Sequence, residues 1–400
     1  MNRVILLLLL FTLLSSCSKK DFKVEEIQFS FGKNNAQPNL VSNGDDLTLS
    51  WISSEEDKEA ILFFSQYKDN KWSTPISIAS GSDWFVNWAD FPAHAINKDL
   101  ILTSYLKKSD SGTYNYDVLL NLETLSGKIK KNFLLNTDGI KAEHGFVSMT
   151  PSNKKGFYVT WLDGRNTVTN NKEVHHNAMT IRFAEITTTG EIINETELDA
   201  TTCDCCQTSI AVSTEGPIVV YRNRSEGEIR DIFITRYKDG IWDNPTPVHN
   251  DGWVINGCPV NGPKVVVNSS NTAVAWFTAA DGKPIVNVSF SNSDGGDFKT
   301  PVQLNDLNAL GRVDVAFLNS REVLVSYMEL DDYGTYLKIK KVSIDGKVSE
   351  AKTIAVIDEG RNSGVPQLEI MKGNVFLAWT YTVDGKNQLK SVKFNSESFY

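Results

Sequence analysis

Short apolar runs that end in an aromatic residue recur along the chain at intervals of about fifty residues. They are 47–51 ending at Trp51, 100–105 at Tyr105, 157–161 at Trp161, 218–221 at Tyr221, 273–276 at Trp276, 323–327 at Tyr327 and 375–379 at Trp379. β-branched and aromatic residues dominate these runs, and Gly, Asn and Asp separate them, which is the chemistry of strands joined by turns. Beyond residue 20 no stretch sustains a helical period. Each run is preceded by one short apolar strand and followed by two more. A four-stranded unit cannot bury both faces alone, so neighbours must stack around an axis, and the period predicts propeller blades. Seven units are counted, with first strands beginning near Pro38, Pro92, Phe146, Thr208, Gly262, Val313 and Val365; six is the alternative count. The last unit runs out of chain before its fourth strand. Residues 24–31, where Val24, Ile27, Phe29 and Phe31 alternate with polar positions, are expected to supply that strand. This closes the ring and removes two sheet edges. The expected fold is all-β, a single β-propeller domain over residues 24–400.

The N-terminus follows a different pattern. Arg3 precedes an unbroken apolar run over residues 4–14, too short to span a bilayer but suited to a signal peptide. Leu14, Ser15, Ser16 and Cys17 then resemble a bacterial lipobox. That resemblance implies a signal peptide at 1–16, acylation of Cys17 and a polar tether over 17–23. The expected location is the bacterial cell envelope, lipid-anchored and facing the periplasm or the surface, with the membrane as a partner through the lipid. The formal net charge of −9 over 400 residues argues against nucleic acid as a partner. A monomer is expected.

Strands within a blade alternate in direction. Loops that enter first strands and loops between second and third strands therefore share one face, and the chemically unusual residues collect there. First-strand loops carry Asp90, Glu143 with His144, the Cys203, Cys205 and Cys206 group, Cys258, Arg312 and Arg361. Second-to-third-strand loops carry Tyr114 and Tyr116, Asp163 with Arg165, and Arg222, Arg224, Glu228, Arg230 and Asp231. Arginine suits planar, bidentate recognition of carboxylate or phosphate. Glycoside hydrolysis needs a pair of carboxyl groups, and Asp90, Glu143, Asp163, Glu228 and Asp231 are candidates. The candidate catalytic set is thus Asp90, Glu143, His144, Asp163, Arg165, Arg222, Arg230, Asp231, Arg312 and Arg361, converging on the mouth of the central channel. His94, beside an inner strand, reads as structural, and the His175 and His176 pair as solvated.

Cys203, Cys205 and Cys206 precede one first strand and Cys258 the next, so adjacent blades can bring all four together. Three readings stay open: two structural disulfides, a Cu or Zn site to which His144 can contribute, or a redox pair. Sulfurs paired at bonding distance would favour disulfides; three or more around one point would favour a metal.

Residues 67–75 and 237–245 share a Tyr-Lys-Asp turn followed by Trp and Pro, with 293–301 as a looser copy. These resemble the Asp-box of sialidase-like propellers. Residues 84–92, 143–147, 161–165, 203–208, 230–232 and 257–263 resemble bacterial exported sialidase-like (BNR-repeat) proteins over nearly the whole mature chain. The resemblance implies a sialidase-superfamily propeller that acts on or binds glycans, whether or not it catalyses glycoside hydrolysis. Sialidases place their first arginine in the first blade, yet none stands between Arg3 and Arg165 here. Exo-sialidase activity is therefore not expected. The alternatives are the thiolate-centred site and a non-catalytic scaffold that binds a partner through the same face.

Overall fold

The computed structural model describes residues 22–399 apart from 30, 33, 55–58, 128–129 and 169–177. Cys17, the leader and the His175 and His176 pair lie outside the described residues. The chain forms seven antiparallel sheets arranged as a seven-bladed β-propeller, which removes the six-blade alternative. First strands are Asn35–Ser42, His94–Asn97, His144–Pro151, Ser209–Val212, Lys264–Val267, Asn308–Phe317 and Gln367–Met371. In blade 7 the short strand Glu25–Ile27 pairs with Lys386–Asn395, placing Ile27 opposite Ser391, so the N-terminal segment closes the ring as its alternation predicts. Among the described residues no helix is long and apolar enough to cross a membrane.

The recurrent aromatics form the contacts between blades. Trp51, Trp161, Trp276, Tyr221 and Tyr327 are almost wholly buried, and Trp379 and Tyr105 nearly so. Each packs on the sheet of the blade before it. Trp161 meets Leu102, Val118 and Leu120, Trp276 meets Ile218, Val220 and Ile234, and Trp51 meets Phe376 and Leu389 across the closure. Burying one such ring contributes about 2–3 kcal/mol, so the repeat places a comparable apolar anchor at every boundary.

A second seam runs nearer the axis, where a side chain of one blade bonds the backbone of its neighbour at every boundary. Asn39 Oδ1 accepts from His94 N at 3.1 Å, Asp90 Oδ1 from Phe146 N at 2.6 Å, and Gln207 Oε1 from Gly262 N at 3.0 Å. Thr208 Oγ1 donates to Phe146 O at 2.7 Å. Asn261 Oδ1 accepts from Arg312 N at 2.7 Å, Asp314 Oδ2 from Leu368 N at 2.9 Å, and Thr380 Oγ1 from Gln37 N at 3.0 Å. Gln37, Phe146 and Arg312 hold positive φ of 61°, 52° and 52°, unusual for residues with a side chain. The first strands of their blades bulge at these points. The bulge turns each amide out of its own ladder and toward the neighbouring blade, so the bond gained offsets the local strain.

The seven first strands surround a channel of about 470 Å³. His94 stands in its wall, buried between Thr48 and Ser50 at 2.9 Å each. Burial lowers its pKa to about 3, so it is neutral and structural.

Candidate functional site

The loop that enters blade 2 does not stop at its own rim. The Ala89 carbonyl accepts from Gln207 Nε2 of blade 4 at 2.7 Å. The Trp88 ring lies 4.8 Å under the Arg312 guanidinium of blade 6. This segment reaches across the mouth and carries Asp90 inward, where the carboxyl is 3% exposed. The expected open convergence of charged groups is therefore replaced by a crossing strap with two clusters beside it.

The first cluster is built on Tyr116, which opens a third strand, Tyr116–Thr124, of blade 2. Its hydroxyl lies 2.7 Å from Glu143 Oε1 and 3.2 Å from Asp90 Oδ2. The ring is fixed by stacking on Phe85 at 4.2 Å and 11°. Backbone bonds from Tyr116 N to Ala142 O and from Gly164 N to Glu143 O, at 3.1 and 2.7 Å, hold Glu143 against blade 3. Gly145 is required here, because a Cβ would overlap the Asp90 carboxylate. Burial pushes Asp90 up to about 8, with the Glu143 charge adding and the bonds from Phe146 N and Tyr116 opposing. Burial also pushes Glu143 up to about 7, against the Tyr116 hydrogen bond, with Asp204 adding its charge. A phenol has one proton and cannot donate to two carboxylates. A protonated Asp90 resolves this by donating to the Tyr116 oxygen while Tyr116 donates to Glu143. Glu143 is the partly exposed end of this chain of three groups.

The second cluster is the cysteine turn. Among the described residues, Cys203, Cys205, Cys206 and Cys258 form no disulfide. Cys203 and Cys206 are buried, Cys205 is partly buried and Cys258 is exposed. Cys203 Sγ lies 3.7 Å from Cys206 Sγ and 4.0 Å from Cys205 Sγ. Arg230 Nη1 donates to Cys203 Sγ at 3.1 Å, and its Nη2 to Glu228 at 2.7 Å. Hydrogen bonds from Cys205 and Cys206, with the charges of Arg222 and Arg230, hold Cys203 far below the usual thiol range.

The remaining sequence candidates are occupied by the fold. Arg165 is bidentate to Asp163 at 2.8 and 2.7 Å and also pairs with Asp138 and Glu195. His144 is buried between Asp138 at 3.2 Å and Asp163 at 3.6 Å. Burial works against its charge, but those carboxylates prevail and raise its pKa. Arg222 gives its donors to the carbonyls of Asn261, Arg230 and Phe277 and stacks on Trp253. Asp231 accepts from Gly252 N and Trp253 N at 2.9 and 3.0 Å. Arg312 donates to Glu359, Gly360 and Gly364 carbonyls and to Ser363, and burial lowers its pKa to about 10. Arg361 is exposed. The arginines thus share a face without forming a common anion pocket: Arg165, Arg222 and Arg312 are fastened to separate partners. Sequence reasoning placed Tyr116 near the mouth but missed its bond to both carboxyls. It also missed Asp204, and nothing in the spacing signals either.

Fold and site together define a seven-bladed β-propeller with a strapped mouth. No family model matches the sequence, and no curated protein matches it. Among solved structures the chain is similar to a PL25 ulvan lyase bound to -[GlcA(1-4)Rha3S]-, at 11% identity and a TM-score of 0.57, covering 94% of this chain and 95% of that one. It is also similar to the polysaccharide lyase Uly1, at 9% identity and a TM-score of 0.52, over 93% and 92% of the two chains. An α-L-arabinofuranosidase, Arb93A from Fusarium graminearum, aligns at 12% identity and a TM-score of 0.50, over 93% and 97%. At these identities the likeness is one of fold.

Proposed function

We propose that the protein acts on glycans through the channel-mouth face, with Glu143 as the proton-transferring group. The observation that carries this is the chain from Asp90 through Tyr116 to a partly exposed Glu143, whose pKa is pushed up to about 7. A carboxyl poised near neutrality can both give and take a proton at working pH. Tyr116 donates to the ionised form and orients it. Asp90 fixes which way Tyr116 points, and it spans blades 2 and 3 through Phe146 N. The glycan assignment draws support from the polysaccharide lyases and the arabinofuranosidase that share the fold, as an analogy of architecture. Exo-sialidase chemistry is disfavoured, because Arg165, Arg222 and Arg312 are committed to Asp163, to backbone carbonyls and to the blade 7 entry loop. In this reading the chain is exported, tethered through an acylated Cys17, and works as a monomer. Labelling with a clickable fatty acid tests the tether: it should mark the wild type and not Cys17→Ala. The activity is tested by incubating purified protein with a panel of acidic and neutral polysaccharides and following new reducing ends and unsaturated sugar ends.

A further inference from the structure

We propose that Cys203, Cys205 and Cys206 form a three-thiolate site for a soft closed-shell metal ion, Cu(I). The three Sγ atoms all lie within 4.8 Å of one another. Their closest separations, 3.7 and 4.0 Å, are far from the ~2.05 Å of a disulfide. They match sulfurs gathered on one ion: a metal–sulfur bond of about 2.3 Å puts two sulfurs about 3.8 Å apart at a tetrahedral angle and about 4.0 Å apart at a trigonal one. The turn arranges this. The Cys203 amide donates to Arg222 O at 3.0 Å, anchoring the start of the loop to blade 4. Gln207, immediately after Cys206, bonds Ala89 O and Gly262 N at 2.7 and 3.0 Å, anchoring its end. Between these anchors the chain turns through Asp204 and Cys205, and the sulfurs face one another.

The surroundings fit an ion that leaves net negative charge. Three thiolates around a monovalent cation carry two excess negative charges, and the buried Arg230 guanidinium lies against Cys203 Sγ at 3.1 Å. Two buried polar atoms beside the turn, Arg230 Nε and Asp204 Oδ1, have no hydrogen-bond partner. Orphaned polar atoms at a buried site call for a ligand or an ordered water. Three converging sulfurs rather than four favour Cu(I), which soft thiolates select, over Zn(II), whose structural sites are closed and tetrahedral. Cys258, on the loop that enters the next blade, is exposed and stands outside the group of three.

The inference is independent of the glycan reading, and its test does not use glycan turnover. The full protein, reduced under anaerobic conditions, is titrated with Cu(I) against a chromophoric Cu(I) chelator and, in parallel, with Zn(II) against a chromophoric Zn(II) chelator. Native mass spectrometry reads stoichiometry, and copper-edge X-ray absorption reads the sulfur shell. One Cu(I) per chain with three sulfur neighbours is expected. Cys203→Ser and Cys206→Ser should each weaken binding by more than the roughly 10–100-fold typical of changes outside the ligand shell, and Cys258→Ser should leave it within a few-fold. Cys205→Ser, at a partly exposed position, should give the same loss if the buried variants fold poorly. Three results would each overturn the proposal: no copper bound by the reduced protein, purified protein holding Cys203–Cys206 and Cys205–Cys258 disulfides that reform after reduction despite added Cu(I), or preferential Zn(II) binding that Cys258→Ser abolishes.

Discussion

Replacing Asp90 with Asn should exchange a pH-dependent stability for a flat one. In the folded protein burial holds the carboxyl at about 8, against an ordinary value of 3.8. The folded state therefore keeps a proton that the unfolded chain releases, and folding stability falls as pH rises through the window from about 4 to 8. At ~1.4 kcal/mol per tenfold difference the full loss has a ceiling of about 6 kcal/mol. Solvent does little to reduce it, because the residue is 3% exposed. Asn preserves the acceptor for Phe146 N and can donate one amide hydrogen to the Tyr116 oxygen, leaving Tyr116 free to serve Glu143. Its second amide hydrogen has no evident acceptor and costs about 1–2 kcal/mol at every pH. The two stability curves should therefore cross. Asp90→Asn is the weaker protein near pH 4 and the stronger one near pH 8.5. Urea denaturation at fixed temperature across this range measures the difference directly. Glu369, also raised by burial, contributes slope to both proteins and cancels in the comparison. A difference that stays constant with pH would refute the reasoning, since it would mean that Asp90 has the same proton affinity folded and unfolded.

Tyr116→Phe keeps the stack on Phe85 but removes the proton between the two carboxyls. The Tyr116 bond lowers the Glu143 pKa, so the pH limb of glycan turnover that reports Glu143 should move upward, with a stability loss of about 1–2 kcal/mol in urea denaturation. An unmoved limb would separate Tyr116 from the chemistry. Ile27→Ala tests the ring closure: Ile27 is 4% exposed in the core shared with Trp51, Leu389 and Phe376. Its loss should cost about 2–4 kcal/mol by the same assay, and a change below about 0.5 kcal/mol would mean the closing strand adds little.

The blade count and the closure were legible because both are period signals. Seven runs ending in Trp or Tyr, each pressed on the preceding blade, repeat strongly enough to be counted without coordinates. The shared face followed from strand alternation alone. What the pattern could not carry is which polar side chain reaches which backbone amide. Arg165 and Arg222 both read as free recognition groups in sequence, yet one closes on Asp163 two residues before it and the other spans to Asn261 and Phe277 of the next blade. The bond from Tyr116 to Glu143 joins residues 27 apart across a blade boundary, a distance over which no sequence pattern runs. The cysteine spacing identified the right residues and left their state undecided, because thiols, disulfides and metal ligands use the same positions and differ only in sulfur separation.

The central claim is that Glu143 moves a proton for a glycan reaction at the channel mouth. It is tested most directly by comparing wild type with Glu143→Gln on a polysaccharide panel, at matched circular dichroism, following reducing and unsaturated sugar ends. Gln keeps the acceptor for Tyr116 and removes only the titratable proton. The account predicts turnover of at least one polysaccharide by the wild type and a loss of roughly 10²-fold or more in the variant. Equal turnover by both proteins, or no turnover and no glycan binding by the wild type, would contradict it.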